Sequence, residues 1–172
     1  EYITVHLEEG ESINDVIRQM GLDPREIINV KLTGTMAGNQ FWYIRDNMPY
    51  LEAINMKELR TKDMPIGTGW YDAYGIKETQ DDFIPSYAFQ NMYYLSYVVY
   101  PDSLKGIGDR AFNSTNLRGS IILPEGLEYI GEEVYTGTSG FYEQQTPALS
   151  GELYIPSTVK IIRNNAFARL SL

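Results

Sequence analysis

A six-residue pattern, I-x-x-x-[AV]-[FY], constrains the fold of this chain more than any other feature. It occurs four times, as IPSYAF from Ile84, IGDRAF from Ile107, IGEEVY from Ile130 and IRNNAF from Ile162. The starts of successive copies lie 23, 23 and 32 residues apart. A fixed spacing in the twenties is typical of repeat proteins, in which each unit packs mainly against its neighbours.

A second marker keeps the same phase as the hexamer. It reads YPDSL from Tyr100, LPEGL from Leu123 and IPSTV from Ile155. Two patterns in one register argue against a chance amphipathic helix, which would explain the hexamer alone. The longer last interval predicts an insertion of nine residues, which we place within residues 136–148.

Each unit contains a short strand, as the segment LRGSIILP indicates. Ile121 and Leu123 alternate with Ser120 and Ile122, which is the period of a strand with one buried face. The proline ends the strand because it has no N–H group to donate to a ladder. The Ala-Phe or Val-Tyr pair is predicted to lie in a short helical or 3₁₀ segment that fills the interior. One unit has too few inward side chains to fold alone, so neighbouring units must stack.

The register extends upstream of the clear hexamers. The segments LEAINMKEL and INVKLTG predict two more strands, in which Ile54, Met56, Val30 and Leu32 point inward. Between them, GNQFWYIRDNM predicts a helix on the outer face of the stack. Its apolar residues at helical spacing are Phe41, Ile44 and Met48. Residues 60–83 show little periodicity and predict a long inserted loop.

The first 29 residues predict a strand followed by a helix. YITVHL alternates like a strand, and Ser12 in SINDVIRQMG can cap a helix that Gly21 ends. The residues that share one face of this helix are Ile13, Val16, Ile17 and Met20. We therefore expect an N-terminal strand-helix cap at residues 1–29 and a repeat solenoid at residues 30–172.

Composition argues against several kinds of partner and site. The formal charge is −9 and no basic run reverses it locally, so we expect no nucleic-acid partner. The absence of cysteine excludes a disulfide framework and a thiolate metal site. No run of about 18 apolar residues occurs, so no transmembrane segment is predicted within this chain.

The repeats resemble a known family. The pattern [IL]-P-x-x-[LV]-x-x-I-x-x-x-A-F-x-x-x-x-x-L, seen from Tyr100 and again from Leu123, is similar to the BspA-type leucine-rich repeats of bacterial cell-surface proteins. The upstream VKLTGTMAGNQFWYIRDNMPYLEAINM also resembles the segment that precedes such repeats in Bacteroides-like bacteria, so the resemblance runs from Val30 to the C-terminus. Three departures are Tyr100 before the proline, Val134-Tyr135 in place of Ala-Phe, and the insert.

This resemblance implies an α/β solenoid, a right-handed leucine-rich-repeat superhelix. Short parallel strands would form one face, and short helical or 3₁₀ segments the other. It also implies export to the cell surface or periplasm, often by way of a lipoprotein signal that this chain does not contain. Family members are mostly regarded as adhesins or host-interaction proteins, and no catalytic residues or cofactors come with the family.

The residues themselves predict no enzyme activity and no metal site. The single histidine, His6, falls on the outward face of its strand and has no nucleophile or second ligand nearby in sequence. Acidic pairs at residues 8–9, 81–82 and 132–133 point apart and are predicted to keep surfaces solvated. GTGWYDAYG, from Gly67, lacks the lysine of a phosphate loop. The sequon NST, from Asn113, suits a turn of the repeat as well as a glycosylation site.

The strand register predicts which residues lie on the open face of the sheet. Stacked in register, four of them would form a contiguous apolar strip, and a glutamate would lie beside it. The four are Tyr97, Val99, Ile122 and Tyr154, and the glutamate is Glu152. An exposed apolar strip usually marks a binding site. The alternatives are that such residues simply favour strands, or that the inserts cover the sheet.

The two inserts carry further candidate binding residues, since loops on a rigid scaffold often determine specificity. These residues are Trp70, Tyr71, Tyr74, Phe141 and Tyr142. We therefore predict a non-enzymatic surface protein that binds a protein ligand, such as a host matrix protein. A carbohydrate-binding protein, a structural spacer without a ligand and an undetected hydrolase are the alternatives.

Overall fold

The computed structural model describes residues 1–62, 64–65, 79–137, 149–168 and 170. Its helices are α1 (Ile13–Gln19), α2 (Gln40–Asn47) and a 3₁₀ turn at Pro24–Glu26. Its strands are β1 (Ile3–Leu7), β2 (Asn29–Ala37), β3 (Ala53–Asn55), β4 (Leu59–Lys62), β5 (Met64–Pro65), β6 (Thr79–Gln80), β7 (Phe83–Ile84), β8 (Tyr97–Val99), β9 (Gly106–Ile107), β10 (Gly119–Ile122), β11 (Tyr129–Ile130), β12 (Leu149–Tyr154) and β13 (Ile161–Ile162).

The first sheet is parallel and includes the N-terminal strand. Its order is β1-β2-β3-β8, and β4 pairs with the later part of β2. The inward residues predicted for β2 and β3 are fully buried, as are the three apolar residues predicted for α2. Alternation of apolar and polar residues therefore located the buried face of this sheet correctly.

Helix α1 begins as predicted, because the Ser12 hydroxyl accepts a hydrogen bond from the N–H of Asp15. The predicted face is correct for Ile13, Val16 and Ile17, which are buried. It is wrong for Met20, which is 44% exposed. The helix ends at Gln19, so Met20 lies at the C-cap and no longer follows the helical period.

The loop predicted at residues 60–83 contains strands where the structure describes it. β4 adds to the first sheet, and β5 pairs with β6 in an antiparallel ladder. Arg60 and Asp82 form two hydrogen-bonded contacts of 2.8 Å across this segment. Short strands of two to four residues show too little periodicity to be recognised in the sequence.

The four hexamers build a second parallel sheet, in the order β7-β9-β11-β13. The first isoleucine of each copy pairs with that of the next, so the repeat period is also the pairing register. Gly108 explains the glycine that follows the isoleucine in two copies. A Cβ atom there would lie 2.3 Å from the backbone nitrogen of Ser86 in the preceding repeat.

The helical or 3₁₀ segment predicted for the hexamer is absent from the described copies, which form hydrogen-bonded turns instead. The fourth residue of each copy has a positive φ, and this left-handed conformation cannot continue a helix. These residues are Tyr87, Arg110, Glu133 and Asn165. Backbone bonds to the next repeat hold the turns, for example from the Tyr87 N–H to the Asp109 carbonyl at 2.9 Å.

The aromatic residues that end the hexamers form a column through the core. Phe89 stacks on Phe112 with ring centroids 5.1 Å apart, and Phe112 stacks on Tyr135 at 5.6 Å. Phe167 continues the column beyond Tyr135, also at 5.6 Å, and Phe41 of α2 meets its other end edge-on. The predicted filling of the interior by this position is confirmed.

Candidate functional site

The open face of the repeats contains a groove where the first sheet ends. Within the described residues, β8 pairs with β3 only, while β10 and β12 form a separate sheet. The strands β8 and β10 hold corresponding places in successive repeats, yet no ladder joins them. The groove between them has a volume of about 680 Å³. Its lining residues are Ser96–Tyr100, Asp102, Leu117–Glu125 and Tyr154.

Backbone hydrogen bonds join the two repeats before and after this groove. Where the strands begin, the N–H of Arg118 donates to the Ser96 carbonyl at 3.2 Å. Beyond the strands, the N–H of Glu128 donates to the Lys105 carbonyl at 2.8 Å. The two repeats are therefore joined on either side of a local opening.

The edge of β8 that faces the opening carries unpaired backbone groups. Tyr97 and Val99 turn their polar groups to β3, because the Tyr97 N–H donates to the Glu52 carbonyl and the Val99 carbonyl accepts from Met56. Successive residues of a parallel strand bond to opposite neighbours. The N–H and C=O of Val98 consequently point into the opening.

The edge of β10 is arranged in the same way from the other side. The N–H of Leu123 donates to the Tyr154 carbonyl, so the polar groups of Ser120 and Ile122 point away from β12 and toward β8. No backbone hydrogen bond between Val98 and these two residues is present in the described structure. Two unsatisfied strand edges therefore face each other.

Two tyrosines lie beneath the groove as a hydrogen-bonded pair. Tyr100 lines the groove, and its ring meets Phe112 edge-on at 5.8 Å. Its hydroxyl lies 2.6 Å from the hydroxyl of Tyr135. Burial raises the pKa of Tyr100 and of Tyr135, so both hydroxyls remain protonated at neutral pH. Tyr100 and Tyr135, two of the residues that depart from the family pattern, therefore satisfy each other's hydroxyl group by hydrogen bonding in the core.

The repeats that form the groove match a known family. Residues 82–172 match the BspA type leucine rich repeat region in six copies. The chain belongs to this family. The resemblance predicted from Val30 onward is thus confirmed from residue 82, and residues 30–81 lie outside the match. No protein with a curated description shows significant similarity to the chain.

The family match indicates a general role and location for such repeats. The family is generally non-catalytic, and leucine-rich repeats suggest a scaffold for protein–protein interaction. Its members are typically extracellular or surface proteins. In the part of the chain that the structure describes, no helix is long and apolar enough to cross a membrane.

The predicted sheet-face residues of these BspA-type repeats surround the groove. Tyr97, Ile122 and Tyr154 are 56%, 51% and 44% exposed, and Val99 is half-buried. All four line the groove, while Glu152 is exposed on β12. Tyr97 and Val99 lie on the β8 side of the opening, and Ile122 and Tyr154 lie on the side of β10 and β12. The insert residues Trp70, Tyr71, Tyr74, Phe141 and Tyr142 lie outside the described residues.

Tyr2 is a further residue of the open face, and it was not among the predicted site residues. It precedes β1 and is exposed. Burial and then the charge of Tyr97 raise the pKa of Tyr2. The strand register puts the two residues at the same level of the sheet, just before β1 and on β8, at the ends of the order β1-β2-β3-β8. The alternation in YITVHL already put Tyr2 outward, but only the sheet order brings it toward Tyr97.

The other candidates for chemistry have structural partners. His6 is exposed as predicted and contacts Thr33 and Glu8. The Asn113 amide of the sequon donates to the Thr136 carbonyl at 2.6 Å, so a repeat contact already uses its nitrogen. The solvated role predicted for Asp82 is wrong, since its side chain is 11% exposed and binds Arg60. No cluster of three potential metal ligands occurs among the described residues.

Proposed function

We propose that this chain is a protein-binding member of the BspA-type family and that the groove between β8 and β10 is its binding site. The observation that carries the proposal is the pairing of a concave opening with an exposed aromatic rim, formed by Tyr97 and Tyr154 on opposite sides. Tyrosines combine a large apolar ring with a hydrogen-bonding hydroxyl and are enriched at protein interfaces.

The conformation of the rim is also fixed in the free protein. The Tyr154 hydroxyl donates a hydrogen bond to the Glu125 carboxylate, which raises the pKa of Tyr154. Tyr97 lies on a strand whose backbone is fixed to β3. An anchor with a fixed side chain loses less conformational entropy on binding than a mobile one.

We further propose a location and an architecture consistent with this role. The repeats from residue 30 onward form one right-handed solenoid, and residues 1–29 cap its first strand. The pairing of β1 with β2 and the packing of α1 against that sheet support the cap. The protein acts outside the bacterial cell, as an adhesin-like surface protein of a Bacteroides-like bacterium, and its partner is a host protein.

A binding screen on matched variants tests this function. The protein is probed against an array of purified host matrix proteins and, in parallel, against a glycan array. Substitution of both rim tyrosines, Tyr97→Ala with Tyr154→Ala, should weaken binding to the protein partner at least about tenfold, as loss of an interface anchor does. Binding to glycans alone would replace the proposal with the carbohydrate alternative.

The control is a second pair of exposed tyrosines that do not line the groove. Tyr50 and Tyr94 are 45% and 49% exposed, and their rings contact each other at 5.8 Å. Tyr50→Ala with Tyr94→Ala removes the same chemical groups and should leave binding unchanged. Equal losses of binding in both double variants would contradict the assignment of the site to the groove. No binding on either array would favour a structural spacer.

A further inference from the structure

We propose that the ligand of the groove is an extended peptide segment of a partner protein, which binds by adding its backbone to the open strand edges of β8 and β10. This inference rests on the proposed function and specifies how the same site recognises its partner. The segment lies lengthwise in the opening, between the two repeats that are bonded at Ser96 and at Lys105.

The free backbone groups of the opening are the first argument. Val98 on one side and Ser120 and Ile122 on the other present N–H and C=O groups that pair with no residue across the gap. Buried or partly buried backbone groups in a native protein are almost always hydrogen-bonded, to protein or to water. An extended peptide supplies donors and acceptors at the spacing of a strand, which a globular surface or a sugar does not.

The shape of the groove is the second argument. Tyr97 and Ile122 stand exposed on its two sides. Ile121 and Leu123 also line it but are only 2% and 1% exposed, so the groove does not open into the core. A polypeptide backbone placed along the groove meets the free groups of both edges, and every second side chain faces the exposed rim.

The lining limits the length of the segment. On the β8 side, the continuous part of the lining beyond Ser96 runs from Tyr97 to Tyr100. At about 3.3 Å per residue this corresponds to roughly 13 Å of extended chain. A segment of about four residues therefore fits along the groove.

Charge favours a segment that carries a basic side chain at one end. Glu125 lines the end of the groove where the strands finish, and it has no ion-pair partner among the described residues. Asp102, the other acid of the lining, is already paired with Lys57 at 3.1 Å. The cation of the lining, Arg118, lies at the opposite end, where β10 begins. A lysine or arginine at the Glu125 end of the segment complements that carboxylate.

Hydrogen exchange of the free protein tests whether the opening exists in solution. The amides of Val98 and Ile122 should exchange much faster than the amide of Val99, which lies in the ladder with β3. Equal protection of all three amides would show that β8 and β10 pair in solution, and it would overturn the inference.

A selected peptide tests the recognition itself. A phage library of random decapeptides is panned against the full chain, with the Tyr97→Ala, Tyr154→Ala variant used to remove peptides that bind elsewhere. We expect sequences of alternating β-forming residues with a lysine or arginine at one end. The selected peptide is then synthesised unchanged, with single backbone N-methyl groups, and with its basic residues replaced by glutamate.

Titration calorimetry should show that the peptide binds about tenfold or more weakly when one N-methyl group removes a pairing N–H. A tenfold loss of affinity corresponds to about 1.4 kcal/mol, which is the contribution of one hydrogen bond between uncharged groups. Glutamate replacement should weaken binding by a similar factor. Bound peptide should protect the amides of Val98 and Ile122. The Tyr50→Ala, Tyr94→Ala variant should bind like the unchanged protein.

The outcomes separate the inference from the function on which it rests. Peptide binding that depends on Tyr97 and Tyr154 but tolerates N-methylation at every position would overturn strand addition and leave the protein-binding groove standing. Equal affinity for the glutamate form would overturn the basic segment. Failure to enrich any peptide over the control variant, together with partner binding in the array screen, would likewise overturn the peptide inference alone.

Discussion

The two faces of the repeats share one period but differ in how completely their backbones are paired. On the face built by the hexamers, β7, β9, β11 and β13 form an uninterrupted sheet, and the turns beside it bond from repeat to repeat. On the opposite face, the sheet is interrupted between β8 and β10. Successive repeats are therefore paired continuously along one face, while on the other face the backbones of β8 and β10 are unpaired.

This difference shows which contacts hold the stack together. The hexamer face combines close backbone approach, at Gly108 and Gly131, with the continuous column of rings. Those contacts fix the spacing of the repeats whether or not the strands of the other face pair. The open face can then keep unpaired edges, which we assign to binding.

The largest expected effect comes from breaking the ring column. Phe112 is fully buried between Phe89 and Tyr135. Phe112→Ala should lower the free energy of unfolding by about 3–5 kcal/mol, because it leaves a cavity in the core. Urea unfolding followed by circular dichroism measures this change.

The control on the other face is Ile122→Ala, which truncates an exposed side chain. It should change the free energy of unfolding by less than about 0.5 kcal/mol. A loss in this variant as large as in Phe112→Ala would mean that the open face contributes as much to the stack as the column does.

A glycine on each face sharpens the comparison. In Gly108→Ala the new Cβ meets backbone atoms of the preceding repeat, so we expect a loss of about 1–3 kcal/mol. Gly119 on the open face has a φ of +78°, but a methyl group added there would have no atom within 4 Å. Gly119→Ala should therefore lower the free energy of unfolding by only about 1 kcal/mol, because alanine is strained in a left-handed conformation. Thermal unfolding of both variants gives the ranking, and the reverse order would contradict it.

The tyrosine pair links the two faces, and a double-mutant cycle measures that link. Tyr135→Phe and Tyr100→Phe each leave one hydroxyl without its partner, so each should lower the free energy of unfolding by about 1–3 kcal/mol. The double variant removes both hydroxyls and should lose less than the sum of the single changes. Strict additivity would show that the two hydroxyls do not interact in solution.

The same pair predicts a smaller, pH-dependent effect. Burial raises the pKa of Tyr100 and of Tyr135 in the folded chain, while in the unfolded chain both tyrosines ionise near pH 10. Above that pH the folded state binds more protons than the unfolded state, so stability falls as the pH rises. Unfolding measured from pH 8 to pH 11.5 should show a shallower decline for the Tyr100→Phe, Tyr135→Phe variant. Parallel curves would exclude a contribution from the pair.

The sequence predicted the repeat register and the inner and outer faces well. The isoleucines that begin the hexamers pair with one another in one sheet; they are Ile84, Ile107, Ile130 and Ile162. The side chains of Tyr97, Ile122 and Tyr154 are exposed, as the alternation predicted. Both results follow from local patterns, because the side-chain period reports directly which residues point inward.

The conformation of the hexamers was not predictable in the same way. Tyr87, Arg110 and Glu133 adopt a left-handed conformation that glycine or asparagine would have signalled and these residues do not. Bonds between repeats impose it, as when the Arg110 N–H donates to the Glu132 carbonyl at 2.9 Å. A local propensity for helix was therefore overridden by contacts 22 residues away in the chain.

By itself, the sequence determined the family, the period and the residues available on the open face. Hydrophobic alternation and the spacing of the markers are sufficient for these, since they depend only on which side chains must be buried. The tertiary structure alone decided that Tyr97 and Tyr154 lie on opposite sides of a groove and that Tyr100 meets Tyr135. The physical reason is that pairing between neighbouring strands depends on the separation of their backbones, and the pattern of apolar residues contains no information about that separation.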